Sequence, residues 1–545
     1  MSRERLYIFD TTLRDGAQTA GIEFSLEDKI AVVKLLEALG VDYIEGGYPG
    51  ANVTDTAFFA EPRTKTATFT AFGMTKRAGR SVSNDPGVQD VLNAVADAAC
   101  FVAKSSSRQV KIALGISPKE NLANLAETVA ASVAAGKETM IDCEHFFDGY
   151  KADPGYALAC VETALAHGAR WVVLCDTNGG TMPDEVARIV GEVNSRVPAG
   201  RLGIHAHDDT GQAVANTLAA VLAGARQVQG TLNGVGERCG NANLVTVIPT
   251  LLLKAEFADR FETRITPAQL ADLTRVSRAF DDLLNRGSFR QAPYVGAAAF
   301  ATKAGIHASA LAKDFSTYEH VPPESVGNER SIMVSQQAGK SNLLTALARH
   351  GIELSRDDPR LDRLLRNVKE REARGYSYDG ADASFALLAH KLLGTLPEFF
   401  DVESYRTSVE RRHNARGERV TVTEAVVKIR IGDDLLMSVA EGNGPVNALD
   451  RALRKDLGKY SDQIGDLELV DFKVRILDGG TGAITRVLVE SRDGSGERWY
   501  TIGVSTNIID ASFEALYESI TYKLMKTEAA QATAATRAIP VFGRN

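Results

Sequence analysis

Residues 171–234 read WVVLCDTNGGTMPDEVARIVGEVNSRVPAGRLGIHAHDDTGQAVANTLAAVLAGARQVQGTLNG. Three short apolar runs, WVVLCDTN (171–178), RLGIHAHD (201–208) and QVQGTLNG (227–234), alternate here with longer segments of helical period rich in Ala, Leu and Val. This is the pattern of βα units, in which each parallel strand needs a helical crossover to reach the next. Five further runs precede it: LYIFDTTL (6–13), VDYIEGG (41–47), KTATFTAF (65–72), DAACFVAK (97–104) and ETMIDCEHF (138–146). Helical segments such as 26–39 and 121–135 separate them. Strands that read as buried on both faces predict an α/β fold, a closed (β/α)8 TIM barrel over residues 1–285, with an open doubly wound sheet as the alternative.

A barrel of this kind carries its chemistry at the C-terminal ends of the strands. Those ends hold Arg14 and Asp15, Glu45, Lys104, Glu144 and His145, Asp176 and Thr177, His205 and His207, and Asn233. His205 and His207 are two apart on one strand, so both imidazoles face the same way. Such a pair reads either as a satisfied structural pair or as two ligands of a metal. Asp15 adds a hard oxygen from the first strand, which neighbours the eighth in a closed barrel, and Asn241 in the loop GERCGNANL offers a carbonyl. Mixed nitrogen and oxygen donors suit a divalent Lewis acid and do not choose among Mn, Zn, Co and Mg. Arg14 reads either as a stabiliser of developing negative charge or as a salt-bridge partner of Asp15 or Glu45. Glu144 reads as a base or as an organiser of its neighbours.

From 286 to 404 the pattern loosens into a linker region with helical stretches at 340–350, 358–373 and 380–394, and 405–530 reads as an α+β domain followed by a tail at 531–545. Within that domain MSVAEGNGPVNALDRAL (437–453) aligns without a gap on YTIGVSTNIIDASFEAL (500–516), a duplicated strand-turn-helix unit. The turns Gly442–Gly444 and Ser505–Asn507 would either cap the following helices or hold a carboxylate on exposed backbone N–H groups.

Composition narrows the class. The 545 residues are 44% hydrophobic and 24% charged, an ordinary globular balance, and the net charge of −8 provides no basic stripe for nucleic acid. The first twenty residues lack a signal-peptide core and no run of eighteen apolar residues occurs, so the expectation is a cytoplasmic protein with no membrane partner. Five scattered cysteines without a CxxC pair indicate neither a disulfide framework nor a thiolate zinc site.

The stretches LRDGAQTAGIEFSLEDK (13–29), with Lys29 ten intervening residues after Gln18, and LGIHAHDDTGQA (202–213) resemble both signatures of the isopropylmalate, homocitrate and citramalate synthase family. DYIEGGYPGANVTDTAFF, CEHFFDGYKADPGYAL, VQGTLNGVGERCGNANL and YVGAAAFATKAGIHASA resemble its citramalate branch, and the likeness runs from about residue 5 to 525. It implies condensation of acetyl-CoA with pyruvate and water to give citramalate and CoA, with isopropylmalate and homocitrate synthases as rivals that take larger 2-oxo acids. It implies a metal on Asp15, His205 and His207 with Asn241 near or fourth, Arg14 at the keto oxygen or enolate, Thr177 on the substrate carboxylate and Glu144 near the acetyl methyl. His307 and Tyr318 resemble the family's catalytic His and Tyr, which implies a homodimer with a shared site, and the C-terminal domain resembles a leucine-synthesis-type regulatory domain whose effector here would be isoleucine. Phe72, Phe146 and Phe147 are the candidates for the bulk that would restrict the pocket to pyruvate. One stretch departs from the branch: Ala103-Lys104-Ser105-Ser106-Ser107-Arg108-Gln109 stands where Gly-Lys-Ser-Trp-Asp-x-His is usual. A biotin-dependent carboxyltransferase lacks its Met-Lys-Met carrier turn here, and intact Arg14, Asp15, His205 and His207 oppose a non-catalytic amino-acid sensor.

Overall fold

The computed structural model describes residues 3–284, 286–302, 307, 310–311, 313–332, 340–413, 415–477 and 483–537. Eight parallel strands close on themselves in chain order: β1 (Tyr7–Asp10), β2 (Tyr43–Glu45), β3 (Thr68–Met74), β4 (Ala98–Lys104), β5 (Glu138–Glu144), β6 (Trp171–Asp176), β7 (Leu202–Ala206) and β8 (Gln227–Gly230). Closure is made by β1 against β8, with Asp10 opposite Gly230. The open-sheet alternative is therefore excluded. Several strands are shorter than the apolar runs suggested, because the chain turns away as soon as it passes the rim; β8 ends at Gly230 and residues 232–234 form a tight turn in which Asn233 has φ 53°.

Two apolar layers hold the barrel. Phe9, Tyr43, Cys100, Met140, Trp171 and Val173 fill its lumen, and a larger outer layer lies between strands and helices. Helix α1 (Leu26–Leu39) begins with a reciprocal Ser25/Asp28 capping box and ends at Gly40 in the left-handed region (φ 85°), so its ends are set by local chemistry. Its inner face, Lys29, Val32, Val33, Leu36 and Leu39, is buried.

The chain divides into two compact units, one of residues 1–300 with 319–330 and one of 301–318 with 331–545. In the first, Tyr294, Val295, Phe300, Val321 and Val326 join the outer core of the barrel. In the second, helices Lys340–Arg349, Pro359–Ala373 and Asp382–Leu393 precede two three-stranded antiparallel sheets. These are β9 (Asp401–His413), β10 (Arg419–Ile431) and β11 (Asp434–Gly442), then β12 (Glu468–Ile476), β13 (Thr485–Arg492) and β14 (Arg498–Ser505). Each is followed by a helix, α2 (Pro445–Asp456) and α3 (Ile508–Arg537). The duplication extends to single hydrogen bonds: Ser438 Oγ donates to Ala452 O at 2.7 Å, and Thr501 Oγ1 to Ala515 O at 2.7 Å. Among the described residues no helix is long and apolar enough to cross a membrane.

Candidate active site

The end of β7 carries both imidazoles. His205 and His207 are buried with their Nε2 atoms 3.3 Å apart, and Asp15, on the loop after β1, brings Oδ2 to 3.1 Å from His205 Nε2 and 3.9 Å from His207 Nε2. The tautomer of His205 is set from behind. Gln229 on β8 donates through Nε2 to Asp142 Oδ1 at 3.1 Å, which leaves its Oε1 to accept from His205 Nδ1 at 2.8 Å. With the proton on Nδ1, a neutral His205 points the Nε2 lone pair at Asp15 and His207. Three lone-pair atoms then converge, an arrangement that is repulsive unless a proton or a cation lies among them. His207 Nδ1 is buried without a partner among the described residues, so the two imidazoles are not a fully satisfied structural pair. Asp15, His205 and His207 are grouped closely enough for each to offer one atom to a single ion.

The charges in the cluster act strongly on one another, and a proton on His205 Nε2 is one way to relieve the convergence. Burial alone would raise the Asp15 carboxyl, but Arg14 above all, then the hydrogen bond from His205, hold it well below the usual range. Burial, with His205 beside it, lowers His207 to about 4, so it stays neutral and free to ligate. Burial opposes a charge on His205 too, yet its hydrogen bond to Asp15 raises it.

Asn241 is placed by backbone pairing of its segment with His207 and by its own N–H to Gly234 O at 3.2 Å. Its Nδ2 donates to Asp15 Oδ2 at 2.8 Å, so it orients the Asp15 carboxylate, and its Oδ1 is buried without a partner among the described residues.

Arg14 lies among three carboxylates: Glu45 at 2.7 Å, Asp15 at 3.5 Å and Asp142 at 3.9 Å. Its guanidinium lies 4.2 Å from the centroid of the Phe72 ring at the end of β3. Burial works against its charge, and Glu45, Asp15 and Asp142 more than restore it. Glu45 is wholly buried, one oxygen is unpartnered among the described residues, and desolvation, opposed by Arg14, pushes its carboxyl up to about 7. The salt-bridge reading of Arg14 is met by both Glu45 and Asp15.

A second group sits at the ends of β4, β5 and β6. Glu144 pairs with Lys104 Nζ at 2.6 Å. Thr177 Oγ1 accepts the His145 N–H at 2.8 Å, and its own hydroxyl proton can still be donated. His145 takes φ 58°, an unusual conformation for a non-glycine residue, and this ends β5. In consequence Phe146 and Phe147 enter a helix (Phe146–Ala152) and are buried in the outer core, so neither is the pocket-filling ring that a continuing strand would supply. Phe72 is the aromatic of the three that meets the site.

Asn233 is not in the site; its amide donates to Ser277 O and Asp281 on the helix Leu273–Leu283. His307 and Tyr318 belong to the second unit, stacked on each other with centroids 4.2 Å apart and Tyr318 exposed. The atypical Ser105–Gln109 stretch forms a short turn capped by Ser106, and Ser105 O lies so near Gly149 that a Cβ there would sit at 2.4 Å. Asp142, Gln229 and Arg238 were missed. The signal for the first two was available, since Asp142 and Gln229 are polar residues in strands that must be buried on both faces. Arg238 donates to Thr177 O at 2.8 Å and Asp209 at 2.7 Å, a contact between loops that sequence spacing does not announce.

Residues 5–278 match the HMGL-like family model, 294–375 the homocitrate synthase post-HMGL domain-like model and 379–524 the LeuA allosteric (dimerisation) domain model. The chain is 46% identical to the (R)-citramalate synthase of Aquifex aeolicus over 96% of this chain and 99% of that one. It is 46% identical to the (R)-citramalate synthase of Streptomyces coelicolor over 97% and 98%. With a probable 2-isopropylmalate synthase of Methanopyrus kandleri the identity is 31% over 95% and 98%.

Proposed function

The chain belongs to the citramalate synthases, which it matches over nearly its whole length, and from that premise we propose how the residues at its barrel mouth condense acetyl-CoA with pyruvate, water then hydrolysing the thioester to release citramalate and CoA. The observation that carries the proposal is the convergence of Asp15, His205 and His207 beside a guanidinium that is itself held by Glu45.

Asp15, His205 and His207 would hold a divalent ion, with Asn241 keeping the Asp15 carboxylate turned toward the imidazoles. When bound, such an ion polarises the keto group of pyruvate and makes its carbon electrophilic. Arg14, 3.5 Å from Asp15, would stabilise negative charge on the keto oxygen as the new carbon–carbon bond forms. Thr177 donates its hydroxyl proton to the substrate carboxylate, and the His145 N–H holds the Oγ1 in place. Glu144, paired with Lys104, would orient the acetyl group; by the family likeness, His307 and Tyr318 would take the acid–base work on the acetyl methyl and on the water that hydrolyses the thioester. Phe72, against Arg14, provides the bulk that favours pyruvate over branched 2-oxo acids.

In the second unit, exposed apolar residues on β11 (Leu435, Leu436, Met437, Val439) and β12 (Leu469, Val474, Ile476) support a homodimer formed through the regulatory domain. An open depression of about 500 Å³ lined by Asp401, Tyr405, Asp510, Phe513, Glu514 and Tyr517 supports an amino-acid effector such as isoleucine, with carboxylates to suit its ammonium and rings to suit its aliphatic side chain.

The test is thiol release from acetyl-CoA with a panel of 2-oxo acids. Pyruvate is expected to be preferred over 2-oxoisovalerate by at least about 10-fold in kcat/KM, the discrimination one or two methylenes supply, and Phe72→Ala is expected to narrow that ratio. Equal or better turnover of 2-oxoisovalerate by the wild type would reject the substrate assignment and leave the site chemistry standing.

A further inference from the structure

Lys29 belongs to the motif that opens the barrel, yet it has no place in the chemistry above. It is 3% exposed on the inner face of α1, and all three of its N–H groups have acceptors. Nζ donates to Leu13 O at 3.1 Å, to Gly46 O at 2.8 Å and to the Asp55 carboxylate. The first acceptor is the carbonyl directly before Arg14, and the second is one residue beyond Glu45. Asp55 belongs to the same tie: it accepts the Tyr48 N–H at 2.9 Å and packs against Gly47, where a Cβ would meet its carboxylate at 2.5 Å (φ +136°). One buried ammonium therefore joins the segment leaving β1, the segment leaving β2 and the helix Val53–Phe58.

A buried lysine is an expensive way to fasten two loops, since its charge is desolvated and must be matched by a carboxylate and by carbonyl dipoles. What it fastens are the segments whose side chains form the Arg14–Glu45 pair at 2.7 Å and place Asp15 beside the imidazoles. We infer that Lys29 is a positioning residue for the condensation, setting Arg14, Asp15 and Glu45 in register by tying Leu13 O to Gly46 O from behind. This rests on the function proposed above and goes beyond it. A displacement of about 1 Å at reacting groups is enough to cost about 100-fold in rate.

The experiment compares full-length wild type, Lys29→Met and Lys29→Met/Asp55→Leu, each well below its own unfolding midpoint. Lys29→Met leaves a buried carboxylate unpaired and should lose both thermal stability and turnover. The double variant removes that carboxylate and should regain stability, but it cannot regain the carbonyl tie. Its kcat is therefore expected to stay about 100-fold down with the KM for pyruvate nearly unchanged, and calorimetric Mn²⁺ affinity to be about 10-fold weaker. If Lys29 only supports the fold, kcat and Mn²⁺ affinity return in the double variant to within about 3-fold of wild type, and that result overturns the inference. The Mn²⁺ titration needs no turnover, so it reads the positioning even if wild type were to refuse pyruvate, an outcome that would count against the substrate and not against Lys29.

Discussion

Arg14→Lys keeps the positive charge at the barrel mouth and removes its shape. The guanidinium now meets Glu45 at 2.7 Å through Nε while other nitrogens lie 3.5 Å from Asp15 and 3.9 Å from Asp142, and its plane rests on Phe72. A lysine ammonium is a point charge on a flexible stem and cannot span these partners at once. It will settle on buried Glu45, whose other oxygen already lacks a partner among the described residues, and so withdraw from the imidazole side. The variant forfeits one or two charge-assisted contacts of about 1.5–3 kcal/mol each. Only the part aimed at the reacting oxygen appears in the rate, about 2.7–4 kcal/mol, or about 100- to 1000-fold in kcat. Metal affinity should change little, because Asp15, His205 and His207 remain. The assay is steady-state CoA release with pyruvate, alongside Mn²⁺ calorimetry on the same preparation. A kcat within about 3-fold of wild type, or a loss of Mn²⁺ binding large enough to account for the lost rate, would refute the role given to Arg14.

Chelation should abolish turnover and a divalent ion restore it, while His207→Ala should weaken metal binding at least about 10-fold as measured by calorimetry; full activity in a metal-free sample would reject the metal-assisted reaction. Isoleucine at millimolar concentration should inhibit, and Asp510→Ala should relieve that inhibition without changing uninhibited kcat; indifference of the wild type to isoleucine, leucine and valine would leave the second unit a dimerisation element. Burial pushes the Glu518 carboxyl up to about 8, against its hydrogen bond from Ser384. The folded chain then binds this proton more tightly than the unfolded chain, so the site's stability contribution is full below the unfolded value and is lost as pH rises toward about 8. Glu518→Gln should therefore flatten the fall of the thermal unfolding midpoint between about pH 6 and 8.5, and an unchanged slope would reject the assignment.

Much of this molecule was legible from one dimension. Eight apolar runs in alternation with helical segments dictate a parallel α/β fold with strands buried on both faces, and closure of β1 on β8 then selects the barrel over the open sheet. The same periodicity dictated that His205 and His207 share a face and that Asp15 could reach them, since strand order is chain order in this fold. The 63-residue repeat announced the paired sheets, down to Ser438 and Thr501 making the same bond. Tertiary structure decided what depends on the path of the chain beyond the strand ends. A positive φ at His145 turned Phe146 and Phe147 into the outer core, and the same kind of turn at Asn233 sent its amide to a helix; neither is encoded in alternation. Asn241 reaches Asp15 because a backbone pairing to His207 sets its approach, and it turns its nitrogen there because a carboxylate can only accept. The relay from Asp142 through Gln229 to His205, and the tie from Lys29 to two loop carbonyls, join residues distant in sequence through atoms whose partners exist only once the barrel has closed. Periodicity states which face a side chain takes; only closure states which atoms meet there, because burial makes every unpaired donor and acceptor find a partner across the fold.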